Sequence, residues 1–414
     1  MESIYIVTVF LTVFLMINRL VIPNIVVLSS MLGILLILSK GKVVYPRTIS
    51  ILMLFVILLL IQILLEPSQY FSKLMAMKDI QRFIIYAVVI LVVANCRIRQ
   101  KTFIMIWGIV FAATFLIAFF QFSKIININN LLEQFYGESG LLRSSMYTSL
   151  EQFRGGSVFV NSNSYAKFVL MYLAIILGLQ SGVSSKRKIG FFFSLAVISF
   201  SLILSGSRTG FVIAILLLIG FVSHKVRKTK VSHLSLIIIV SFSLLAVSLI
   251  LAHAYDGTLR LSNLRLTRVR YGIYDSLAYK FGVFNFMISE FEITNFFLGL
   301  GRADTIWGIT MLDFDIGYLI SFYGLVGATL YLLLLLDFWN FRKFNAGGYK
   351  LMNRMLVVVL VLFGLTGGLF FNLRIFTVLS TILFADVVKA DEMWKRQENS
   401  EVGTSKHRAL IIKQ

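Results

Sequence analysis

Cysteine, proline and charge are scarce in this chain, and each scarcity excludes something. A single cysteine, Cys96, excludes an intramolecular disulfide. Four histidines (His224, His233, His253, His407) are scattered, none in a His-Glu-x-x-His arrangement, and no Cys/His cluster has zinc spacing, so no metal or other cofactor is implied. With only three prolines (Pro23, Pro46, Pro67), proline-broken helices are not a feature. Charged residues make up 14% of the chain, where soluble domains carry about a quarter. Acidic residues are outnumbered, 19 against 39 basic ones.

Apolar residues fill the space. They make up 58% of the 414 residues, and the mean hydropathy is +0.88. Several apolar runs approach or exceed the roughly 20 residues a helix needs to cross a bilayer. They are continuous, whereas a β-barrel needs short alternating strands. The first run has no basic segment before it and no small-residue cleavage site, which favours a retained span over a signal peptide. The net charge of +20 would point to nucleic acid in a soluble protein. In a membrane protein its first explanation is the excess of Lys and Arg in cytoplasmic loops, so no nucleic-acid partner is expected.

Apolar runs fall at 4–18, 20–39, 48–65, 83–96, 102–121, 163–182, 189–205, 208–223, 234–252, 316–338, 355–372 and 374–388. The reading is an all-α polytopic integral membrane protein of about twelve transmembrane helices. Residues 1–388 form a single membrane domain, and 389–414 a basic cytoplasmic tail. Every even connection is short and basic: Lys40, Lys42 and Arg47; Arg97, Arg99 and Lys101; Lys186 to Lys188; Lys225 to Lys230; Arg342 to Arg354. That places both termini in the cytoplasm and the odd connections outside. The outer connections include 122–162, the turn at 205–208, and a large extracytoplasmic loop, 253–315, between the ninth and tenth spans.

The outer side carries an excess of arginine against the charge rule: Arg143, Arg154, Arg208, Arg260, Arg265, Arg268, Arg270, Arg302 and Arg374. Arginine presents a planar fork that matches phosphate oxygens, whereas lysine is a point charge. Such a set suits an anionic ligand at the outer membrane surface. The plainer alternative is contact with lipid headgroups, since long loops escape the charge rule.

Three outer stretches concentrate polar groups. In Phe153-Arg-Gly-Gly-Ser-Val-Phe-Val-Asn-Ser-Asn-Ser-Tyr-Ala166, Asn161 and Asn163 stand where a span begins, and capping accounts for at least one of them. Arg154 lies within reach of an anion at that helix end. In Ser205-Gly-Ser-Arg-Thr-Gly210, Arg208 sits at a turn too short to leave the membrane far behind. A charge there must snorkel, pair or bind, because at a span centre it costs roughly 2.5–3.5 kcal/mol. In the large loop, Leu277, Phe281, Phe284, Ile288 and Phe291 recur at the spacing of an amphipathic surface helix. Gly299-Leu-Gly-Arg302 and Leu312-Asp-Phe-Asp-Ile-Gly-Tyr-Leu319 follow. Asp315 heads the tenth span, as its N-cap or as a carboxylate that accepts a proton from a hydroxyl.

In this order the pieces resemble the O-antigen ligase and O-antigen polymerase superfamily of membrane glycosyltransferases. The resemblance covers roughly residues 150–335 and rests on the order and spacing of short motifs. Asn161-Ser-Asn163 matches an Asn-Pro-Asn-like element, and Ser207-Arg-Thr-Gly210 a Ser-Arg-Gly-like turn. Arg270-Tyr271, Gly299-Leu-Gly301, Asp315, Tyr318-Leu319 and Gly324-Leu-Val-Gly327 complete the series. Serine replaces the family's proline. Asp315-Ile316 stands where ligases usually carry His-Asn, which argues for a polymerase and leaves open whether Asp313 or Asp315 is the functional carboxylate.

The resemblance implies transfer of a glycan from a polyprenyl pyrophosphate to a hydroxyl of the next lipid-linked repeat unit, without nucleotide sugar or metal. Arg208 and Arg270 would stabilise the leaving pyrophosphate, with Arg154 and Arg302 as second choices. Asp315 would orient or deprotonate the acceptor, and Asn161, Asn163, Asp313 and Tyr318 would contact substrate. Implied partners are the lipid-linked oligosaccharide donor and acceptor, membrane lipids and a chain-length regulator protein. The expected place is the bacterial cytoplasmic membrane, with an extracytoplasmic active site. The alternatives are a ligase-type transferase to another acceptor, a polysaccharide flippase or transporter, and a non-catalytic assembly protein. A transporter should carry charges within its spans near the midplane, and the sequence places there only Lys167 and Asp337, near span ends.

Overall fold

The computed structural model describes residues 2–15, 32–33, 43–68, 71–123, 128–136, 155–159, 161–180, 188–226, 282, 284–285, 288–289, 291–302, 315–340, 347–366 and 368–388. Among them the chain is mostly helical. In order come α1 (Glu2–Phe10, continued by a π turn, Leu11–Leu15), α2 (Arg47–Leu65), α3 (Lys73–Ala94), β1 (Arg97–Arg99), α4 (Gln100–Ser123) and α5 (Ile128–Tyr136). Then come α6 (Ser162–Gln180), α7 (Lys188–Ser205), α8 (Arg208–Val226), α9 (Ile293–Leu298), α10 (Asp315–Asn340), α11 (Gly347–Thr366), α12 (Leu373–Leu383) and β2 (Asp386–Val388). Among the described residues, α2, α4, α6 and α10 are long and apolar enough to cross a membrane. The expected spans at 20–39 and 234–252 lie largely or wholly outside the described residues, as does most of the large loop.

These helices are apolar on both faces, the pattern of helices solvated by lipid. On α2, Ile49, Leu52, Phe55, Leu59 and Gln62 are buried, while Leu54, Ile57, Leu60, Ile61 and Leu64 are exposed. The most buried of the four long apolar helices is α6, which packs against α7, α8 and α11. Its Ala166 lets α8 approach closely, and a Cβ on Gly210 would sit 3.2 Å from the Ala166 Cβ. Between α2, α3, α10 and α12 lies an aromatic core: Phe55 and Phe83 stack at 5.0 Å, Phe83 meets Phe370 at 5.7 Å, and Tyr86 meets Phe376 at 4.3 Å.

The bundle has two distinct ends. At one, Val44 and Asn95 exchange two hydrogen bonds (2.7 and 2.9 Å), and the Thr48 hydroxyl donates to Asp337. There β1 and β2 pair in parallel, Ile98 opposite Val387, and Arg99 holds the Glu2 carboxylate. That hydrogen bond, and the Glu2 charge behind it, hold the Arg99 guanidinium above its usual pKa. This end collects the described parts of the basic connections. At the opposite end the described parts of two expected outer connections meet: Gly155 N donates to Leu204 O at 2.8 Å, and Ser157 N donates to Gln121 Oε1 at 2.9 Å.

Three features depart from the sequence reading. The run at 83–96 is the second half of a 22-residue helix, α3, which begins at Lys73 and carries Asp79 and Arg82. The run at 374–388, which its length already marks as short for a full crossing, ends in a strand. It is α12, 11 residues long and buried throughout, followed by the strand β2, so the fold is not purely helical. And α10 is broken at Gly324, whose φ of 62° and ψ of −162° are not helical.

Candidate functional site

The break in α10 is built together with the end of the large loop. Gly299 and Gly301 have φ of 77° and 72°, a region only glycine adopts without strain. A Cβ on Gly299 would lie 2.4 Å from the Phe322 carbonyl carbon, and one on Gly324 would lie 2.4 Å from the Phe297 carbonyl oxygen. The two backbones therefore touch where both lack side chains. Leu300 N donates to Ser321 O at 2.8 Å, and the Ser68 hydroxyl donates to Leu300 O at 2.6 Å. Buried Gln62 on α2 donates its amide to Leu298 O, at the end of α9, and to Phe322 O beside the break in α10.

Arg302 follows this turn and is buried. Its Nε lies 3.1 Å from Asp79 on α3, and its guanidinium stacks 4.6 Å from the Tyr318 ring and 5.3 Å from Phe322. Asp79 also accepts from Arg82 Nη1 at 2.5 Å and from the Tyr323 hydroxyl at 2.5 Å. The Arg302 carbonyl accepts from Ser72 N at 2.7 Å.

Asp315 heads α10, and its carboxylate reaches another element. Oδ2 accepts from Leu369 N (2.7 Å) and Phe370 N (2.8 Å) in the turn between α11 and α12. Oδ1 is buried with no hydrogen-bond partner, and so is the Tyr331 hydroxyl. The same turn is held from two further sides: Lys167 on α6 donates to Gly368 O, and the Tyr86 hydroxyl on α3 donates to Phe370 O at 2.7 Å. Gly364 and Gly368 face Asp315, where any Cβ would fall within 3.6 Å of its carboxyl or β carbon. Tyr318 links the two clusters, its ring meeting Phe371 at 4.0 Å on one side and Arg302 on the other.

Asn161 caps α6, its Oδ1 accepting from Asn163 N at 2.8 Å. The first turn of α6 is tied to the same hub, since Asn372 donates to the Ser164 hydroxyl at 3.0 Å while its own oxygen caps α12. Just before α6, Ser157 is held at φ 50°. Its N–H donates to Gln121 Oε1 (2.9 Å) and its hydroxyl to Thr114 O (2.6 Å). Buried Arg374 donates to Val158 O and lies over Phe159. Arg208 is the first residue of α8. Ser207 caps that helix, its hydroxyl accepting from Gly210 N at 3.2 Å in a buried turn that Gly206 enters at φ 60°.

The structure thus brings Arg302, Tyr318 and Asp315 into one continuous cluster, with Asn161 and Asn163 joined through Ser164 and Asn372. Arg154, Arg270 and Asp313, and the side chain of Arg208, lie outside the described residues. Residues the sequence reading passed over include Gln62, Asp79, Arg82 and the turn at 368–372; Gly324 stands in that reading as part of a motif, not as a break in its helix. The one available signal was charge: Asp79 and Arg82 stand three apart just before an apolar run, the spacing of a helical pair. Buried charge is also more abundant than expected, but Asp79, Lys167 and Asp315 all lie within about two turns of their helix starts. Among the described residues no group of three or more His, Cys, Asp or Glu gathers in a metal-binding cluster. No protein-family model matches the chain, and no curated protein matches it in sequence.

Proposed function

We propose that the protein is a polysaccharide repeat-unit polymerase of the outer face of a bacterial cytoplasmic membrane. In this reading the chain has about twelve spans, both termini are cytoplasmic, and the cluster around Asp315 faces outward. The observation that carries it is the gathering of Arg302, Tyr318 and Asp315 at the bundle end opposite the basic connections, where α8 also starts at Arg208. The ordered motifs around Asn161, Arg208, Arg270, Gly299, Asp315 and Gly324 support it.

The bond between the sugar C1 and the pyrophosphate oxygen of the donor breaks, and a bond from C1 to the acceptor hydroxyl oxygen forms. The electron pair leaves with the polyprenyl pyrophosphate, and Arg208 and Arg270 stabilise its growing charge, with Arg154 and Arg302 supporting. The acceptor proton passes to Asp315 or to water. Asp315 Oδ2 is committed to the 368–370 turn, which leaves Oδ1 to orient the hydroxyl. Asn161, Asn163, Asp313 and Tyr318 line the substrate path. A chain-length regulator is the expected protein partner.

The buried charges on α3, α6 and α10 favour a second reading, a polysaccharide transporter, because transporters hold charge within their spans. Their position near helix ends fits surface chemistry better. Protein in lipid vesicles, given a polyprenyl-pyrophosphate-linked repeat unit, separates the two. A polymerase lengthens the glycan and releases polyprenyl pyrophosphate. A transporter moves the glycan across the bilayer with its length unchanged.

A further inference from the structure

Asp79 on α3, which also pairs with Arg82 on the same helix, meets Arg302 in the bundle although it lies far from it in sequence. The Asp79 carboxylate is buried and is engaged from three elements: it accepts from Arg82 on its own helix and from the Tyr323 hydroxyl at the break in α10, and it forms an ion pair with Arg302 in the large loop, Nε to Oδ2 at 3.1 Å. A carboxylate whose orientation is fixed by two hydrogen bonds offers a fixed negative charge for Arg302 to pair with. It meets Arg302 through Nε, whereas the terminal fork of a guanidinium is the part that matches phosphate oxygens. The Arg302 backbone is fastened nearby, through Ser72 N, and Gly301 packs on Pro67 and Phe71.

We infer that Asp79 is the positioning residue for Arg302, setting its guanidinium and locking the end of the large loop onto α3. Asp79 touches no reacting atom. It acts through Arg302, and where activity is concerned the inference rests on the transferase reading above. Removing the charge of Asp79 leaves two guanidinium groups, Arg82 and Arg302, without the one carboxylate that both pair with, and like charges near each other separate. Arg302 and the 299–302 turn then loosen together.

The test compares full-length wild type, Asp79→Asn, Asp79→Glu and Tyr323→Phe in lipid vesicles, by two readouts. The first is hydrogen exchange of the backbone amides of 299–302. The second is turnover of a polyprenyl-pyrophosphate-linked repeat unit. Asp79→Asn is expected to speed exchange about tenfold, and to lower kcat about tenfold with little change in donor KM. Asp79→Glu keeps the charge and recovers part of both. Tyr323→Phe removes one of the two hydrogen bonds that orient the Asp79 carboxylate and shifts both in the same direction by less. Unchanged exchange at 299–302 in Asp79→Asn overturns the inference, and so does a kcat loss that Asp79→Glu does not reduce. If the wild type itself extends no glycan, the transferase reading fails instead, and the exchange comparison still decides the role of Asp79.

Discussion

Asp315 does two things in this account, and substitution separates them. Its Oδ2 takes the buried N–H groups of Leu369 and Phe370 at 2.7 and 2.8 Å, and Oδ1 stays unpaired. In Asp315→Ala both N–H groups lose their acceptor, at about 1–3 kcal/mol each, so the loss is about 2–6 kcal/mol. Lys167, on the neighbouring Gly368 carbonyl, adds to it by losing a nearby negative charge. In Asp315→Asn the amide oxygen takes the place of Oδ2 and keeps both bonds. The amide nitrogen replaces an oxygen that was already unpaired, so the penalty is the charge-assisted part alone, about 1–2 kcal/mol. Unfolding of the purified variants in detergent should therefore rank wild type, Asn, Ala, with the larger gap before Ala. Turnover should be lost in both. Equal destabilisation by Asn and Ala would show that charge, rather than these two hydrogen bonds, holds the 368–370 turn. An Ala penalty under about 1 kcal/mol would refute the placement of Asp315 altogether.

Other substitutions probe the turns and the helix break elsewhere in the bundle. Gly324→Ala and Gly299→Ala each put a Cβ 2.4 Å from opposing backbone at positive φ. Each should cost at least about 1–2 kcal/mol from the left-handed conformation alone, with steric overlap on top, read as a lower unfolding midpoint. Gln121→Leu strands the buried Ser157 N–H and should cost about 1–3 kcal/mol in the same assay. Gln62→Leu removes the donor shared by Leu298 O and Phe322 O and should speed hydrogen exchange around Leu300, whereas Gln62→Glu, which turns a donor into an acceptor against two carbonyls, should do so more strongly.

The helices that the sequence shows well are those with long unbroken apolar runs. The ends of α2, α4, α6 and α10 fall within a few residues of the runs at 48–65, 102–121, 163–182 and 316–338. Where a helix mixes polar and apolar turns, hydropathy misplaces its start. The first ten residues of α3 hold Lys73, Lys78, Asp79 and Arg82, so the helix read as a short run, and the carboxylate that holds Arg302 went unseen. The break at Gly324 is invisible for the opposite reason, since Gly-Leu-Val-Gly continues an apolar stretch, and only the contact with Gly299 explains it. The hub at 368–372 reads as the end of a span because Leu369, Phe370 and Phe371 are apolar. Its ties to Asp315, Lys167 and Tyr86 run through its backbone groups, which sequence pattern does not report. Strands of three residues, as in β1 and β2, are too short to show a period. For Asp315 and Asn161 the residues were legible as helix starts. That Asn161 caps its own helix follows from the usual preference, whereas the reach of Asp315 to a turn more than fifty residues away does not.

The most direct test of the polymerase account is glycan length in cells carrying Asp315→Asn or Arg208→Ala, with the amount of each variant in the membrane confirmed. The account predicts that both leave single repeat units on the lipid carrier. Polymer of normal length from both variants would contradict it.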